Sequence, residues 1–78
     1  MASLDDDTRD LLRRLFAAAT DLVERAHETA VEGQAADLTA GSYAACAGAL
    51  RDRLKDALSI VAAAEAIARA ARQADRTP

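Results

Sequence analysis

Glu24-Arg25-Ala26-His27 sets a carboxylate and an imidazole three residues apart, with Glu28 directly after them. On a helix that spacing puts Glu24 and His27 on one face, as in carboxylate-bridged di-iron bundles. Such a centre also needs an inward-facing carboxylate from a neighbouring helix. Folding the chain back near residue 36 brings Glu24 level with residues 48–51, where the nearest acid is Asp52, and Glu65 falls across from about residue 8. Glu24 and His27 also lie opposite Leu15, Leu22 and Val23 on their own helix. Glu24, His27 and Glu28 are therefore weak metal candidates, and the expectation is solvated side chains with no metal and no cofactor. An oligomer that gathered these residues from two copies across a symmetry axis would be the route to a bridging site.

Cys46 is the one cysteine, so no disulfide within the chain is possible, which fits a reducing compartment. It sits beside Tyr43, Ala47 and Leu50 at a core-like position, where a buried thiol is inert by default. A nucleophile would need a base, and the one histidine, His27, is expected on the outside. No third member of a Ser or Cys triad, no Gly-x-Gly-x-x-Gly, no phosphate-binding loop and no Cys-x-x-Cys occurs. No catalytic residue is assigned, and a noncatalytic protein is expected. Arg51, Arg53 and Lys55 alternate with Asp52 and Asp56, and at about 100° per residue they fan around a helix instead of forming a phosphate-binding stripe.

The elements that position these residues are helices. Three glycines and a single proline, Pro78, leave little to build turns, whereas Ala, Leu, Arg and Glu dominate. Ser3 with Asp6 has the form of a capping box, and Asp5, Asp6 and Asp7 suit the positive end of a helix starting near Leu4. Leu11, Leu12, Leu15, Phe16, Ala19, Leu22, Val23, Ala26 and Ala30 then recur at three- and four-residue spacing. Acid-to-base pairs at i,i+4 support the helix, namely Asp5 with Arg9, Asp10 with Arg14 and Asp21 with Arg25. Gly33 is expected to end it in the left-handed conformation.

A second start stands at Thr39, with Leu38 and Tyr43 spaced as a hydrophobic staple and Ser42 as the competing cap. From Tyr43 through Cys46, Ala47, Leu50, Leu54, Ala57, Leu58, Ile60, Val61, Ala64, Ile67, Ala68 and Ala71 an apolar stripe covers about half the helix. The fold expected is all-α, a two-helix antiparallel hairpin with helices at about 4–32 and 40–75. The whole of 1–78 is one domain. Residues 1–39 carry four basic and nine acidic side chains and residues 40–78 six and four, so Asp5, Asp6, Asp7 and Asp10 should lie near Arg69, Arg72 and Arg76.

Of the 78 residues 22 are alanine and only 17 are large apolar side chains, so a lone hairpin would be marginal. Dimerisation into a four-helix bundle is therefore expected, with a dimer or tetramer, or a helical protein partner, covering the apolar faces. The interface residues expected are Leu15, Phe16, Leu22, Leu54, Val61, Ala64, Ile67 and Ala68. The alanine-rich run 61–71 offers a surface for close helix approach. Burial is expected for Leu15, Phe16, Leu22, Leu50, Leu54 and Val61, with Phe16→Ala or Leu54→Ala costing about 2–5 kcal/mol. The shape resembles two-helix chains that dimerise into four-helix bundles, plasmid RNA-binding regulators among them, though no motif residues are matched.

The function expected is a small adaptor, assembly or regulatory protein acting through helix packing. The alternative is a nucleic-acid-associated regulator of phage or plasmid type, which a net charge of −3 disfavours. The longest uncharged run, Leu38 to Leu50, is too short and too polar to span a bilayer. An acidic amino terminus is unlike a secretory or mitochondrial leader, so a cytoplasmic location is expected.

Overall fold

The computed structural model describes residues 4–76 as two helices, α1 (Asp6–Glu32) and α2 (Ala40–Arg76), folded back on each other. Among the described residues there is no strand. The hairpin is a rod of 61 × 17 × 14 Å, a single layer of two helices.

Asp5 is the amino-terminal cap of α1. Its backbone is extended and its carboxylate accepts the backbone N–H of Thr8 at 2.6 Å. That bond, with a further one from the Thr8 side chain, favours the ionised form and holds the Asp5 carboxyl below the usual aspartate range. Ser3, where the cap was expected, lies outside the described residues. Asp10–Arg14 and Asp21–Arg25 form as anticipated, at 2.9 and 3.2 Å. The expected Asp5–Arg9 pair is not among the ion pairs of the described residues, since the Asp5 carboxylate is turned to the cap.

The far end of α1 departs from expectation. Gly33 is right-handed, with φ −69° and ψ −7°, so its freedom to adopt positive φ is not used. The Gly33 N–H keeps the α-helical bond to the Thr29 carbonyl, and the chain then tightens, with Gln34 donating to Val31 and Ala35 to Glu32. α2 then starts at Thr39, whose side-chain oxygen accepts the Ser42 N–H at 3.1 Å and whose carbonyl accepts the Tyr43 N–H at 3.0 Å. Ser42, the competing cap, instead accepts the Thr39 hydroxyl. The Tyr43 hydroxyl donates to the Ala35 carbonyl and ties the turn to the first coil of α2.

Small side chains close the seam between the helices. Among the described residues, Leu12, Ala19 and Ala26 of α1 and Ala57 and Ala64 of α2 are the buried apolar ones, each set spaced by seven. A seven-residue repeat keeps one stripe facing a partner helix, so these are the a positions of a heptad abcdefg. Leu15, Leu22 and Thr29 at d are half-buried to buried. Thr29 is buried without an unpaired hydroxyl because its Oγ1 donates to the Arg25 carbonyl at 3.1 Å.

A methyl group placed on Gly33 would lie 3.7 Å from Cβ of Cys46, which sets the register. Residues whose numbers add to that of this pair, 79, are level. Leu15 therefore faces Ala64, Leu22 faces Ala57, and Ala19 faces Ile60, so each of these three layers sets one large side chain against a small one, while Leu12 meets Ile67. That alternation lets two close-set helices fill the space between them.

Candidate interaction surface

In an antiparallel pair joined through a and d, the e positions of both helices fall on one side of the seam and the g positions on the other. The clefts near the turn show this arrangement. Ala30 and Ala47, both at e, line one cleft, while Glu32 and Ala49, both at g, line a cleft on the opposite side. Carried along the hairpin, the e side holds Phe16 and Val23 from α1 and Leu54 and Val61 from α2. In register, Val23 stands beside Leu54 and Phe16 beside Val61.

All four are exposed: Phe16 by 61%, Val23 by 54%, Leu54 by 50% and Val61 by 44%. Leu58 extends the patch, 68% exposed, and with Ala47, Leu50 and Leu54 lines an open apolar cleft on α2. Isolated apolar residues on a surface are ordinary, whereas these share one side of the rod and make an exposed apolar patch.

The burial expected for Phe16, Leu54 and Val61 is therefore overturned within the single chain. The hydrophobic stripes are wide enough to hold two faces, and the hairpin closes on the one bearing alanine, which admits the closer approach. Leu15, Leu22 and Leu50 are half-buried. Of the residues expected to meet a partner, Phe16, Leu54, Val61 and Ala68 are exposed, Leu15, Leu22 and Ile67 are half-buried in the seam, and Ala64 is buried between the two helices. In the alanine-rich run, Ala62, Ala63, Ala66 and Ala70 face outward while Ala64 faces α1. Leu11, Val23 and Leu58, which the periodic stripes set among the inward-facing residues, are exposed as well.

Glu24, His27 and Glu28 are all exposed. Among the described residues, no three His, Cys, Asp or Glu side chains are grouped as metal ligands would be. Cys46 is half-buried against the turn. Arg51 lies 3.7 Å from Asp52, and Arg53 is half-buried at a d position, so the basic residues of this segment are divided between solvent and seam. The ion pairs of the described residues join neighbours on one helix: Arg69, expected to meet the acidic start of α1, bonds Glu65 at 3.1 Å. No helix of the described residues is long and apolar enough to cross a membrane. Compared with protein-family models, curated proteins and solved structures, the chain matches none.

Proposed function

We propose that the chain is a noncatalytic helical interaction module, a small adaptor, assembly or regulatory protein whose e side receives helices of another polypeptide. The observation that supports this reading is the continuous exposed row of Phe16, Val23, Leu54 and Val61, large side chains left outside by a seam built of alanine. Packing two further helices onto that row removes it from water and turns a single layer into the two-layer core that small helical domains require. At about 25 cal/mol per Å² of apolar surface, such a face outweighs most polar contacts available to so small a chain.

The test is association. The full chain carrying Phe16→Glu and Leu54→Glu is expected to stay helical, because both side chains lie outside the seam, yet to lose the complexes that the unmodified chain forms. Size-exclusion chromatography with light scattering reads this for the purified chain and for the chain added to an extract of its source. Complexes of unchanged size and amount in both settings would overturn the reading.

A further inference from the structure

Resting on that reading, we propose that the e side is covered by a second copy of this chain, with α1 of each copy lying on α2 of the other. The hairpin exposes 5978 Å², whereas a compact folded monomer of 8.2 kDa exposes about 4,500 Å². The excess of about 1,400 Å² exceeds the roughly 800 Å² that each partner contributes to a standard stable interface. The exposed apolar row runs along one side of a straight rod, which fits another rod of the same length, and this chain supplies one.

Charge selects the orientation. α1 carries seven acidic and four basic side chains, α2 four acidic and six basic. A two-fold axis across the hairpin would stack α1 on α1 and α2 on α2, like upon like. An axis along the hairpin keeps every residue at its own level and stacks the acidic helix on the basic one. Asp6, Arg13 and Glu24, at b and f positions beside the apolar row, then come level with the partner's Arg72, the partner's Glu65 and the partner's Lys55. All three are opposite charges. Adjacent helices are antiparallel in both arrangements, so helix dipoles oppose one another in each and the side-chain charges make the choice. Electrostatic complementarity of this kind sets register and orientation, while the apolar row supplies the affinity.

Single cysteines in a Cys46→Ser background read the arrangement. Thr20 and Leu58 are exposed b positions on opposite outer edges of one hairpin. Stacked as proposed, Thr20 comes close to the partner's Leu58. The full chain is expected to sediment at twice 8.2 kDa. Under mild oxidation, a mixture of the Thr20→Cys and Leu58→Cys variants is expected to give a covalent dimer that neither variant gives alone. Covalent dimers from Thr20→Cys alone would overturn the orientation, since the crosswise axis sets Thr20 near its own copy. A purified chain of monomer mass would overturn self-pairing. If Phe16→Glu with Leu54→Glu still removed a complex formed in extract, the interaction reading would stand while this proposal fell. Loss of neither would end both.

Discussion

Replacing Ala64 with leucine is expected to lower the melting temperature by about 5–20 °C, a cost of about 1–3 kcal/mol at about 4–8 °C per kcal/mol for a chain this small. Ala64 is 3% exposed and level with Leu15, so the added atoms have nowhere to go except between the helix backbones. Separating the helices there loosens the neighbouring layers too, where Leu22 meets Ala57 and Ala19 meets Ile60. A folded chain of 78 residues has about 4–12 kcal/mol of stability in all, so the loss is a large part of it. Ala62→Leu, on the exposed side of the same helix, is the control, and should stay within about 0.5 kcal/mol of the parent. Thermal unfolding followed by circular dichroism checks both. Equal effects at the two positions would mean that the seam is not where the buried alanines lie.

Leu12→Ala is expected to cost about 2–5 kcal/mol, a large part of the stability of so small a chain. Among the described residues Leu12 is the one large apolar residue buried between the helices, 9% exposed and level with Ile67. Leu54→Ala makes the instructive contrast. Half of Leu54 is already in water in the single hairpin, so in dilute solution its truncation should cost about 1 kcal/mol or less. At concentrations where copies associate, the cost should grow, because the same side chain is then covered by a partner. Denaturant unfolding of both variants at two protein concentrations separates the cases. A concentration-independent loss of several kcal/mol for Leu54→Ala would place that residue in the seam.

The helices were legible in the sequence because their signals are local. Thr39, the acidic run at Asp5 to Asp7, the i,i+4 pairs and the scarcity of glycine and proline act within one or two turns. The ends nevertheless shifted where two local solutions compete. Asp5 offers a carboxylate to the Thr8 N–H, and Gly33 stays right-handed because the turn finds its hydrogen bonds through Gln34 and Ala35. The choice of face was not legible. Periodicity locates a stripe, and in both helices that stripe spans the neighbouring a and e positions. A scale that ranks residues by hydrophobicity turns Phe16, Leu54 and Val61 inward. Steric fit between two backbones favours Ala19, Ala26, Ala57 and Ala64 instead, and it depends on the helices' separation, which no single-helix pattern contains. His27 and Glu24, by contrast, were placed outside by periodicity and are exposed.

Concentration-dependent thiol labelling of Phe16→Cys and Ala64→Cys, each in the Cys46→Ser background, tests the central claim most directly. The claim is that the hairpin closes on its alanines and leaves its large apolar residues to another chain. The thiol at 64 should react slowly at every dilution, since its protection is intramolecular. The thiol at 16 should be protected at high protein concentration and become fully reactive on dilution, as the second copy leaves. A thiol at 16 that stays protected at all dilutions, or one that reacts freely at all of them, would contradict the account.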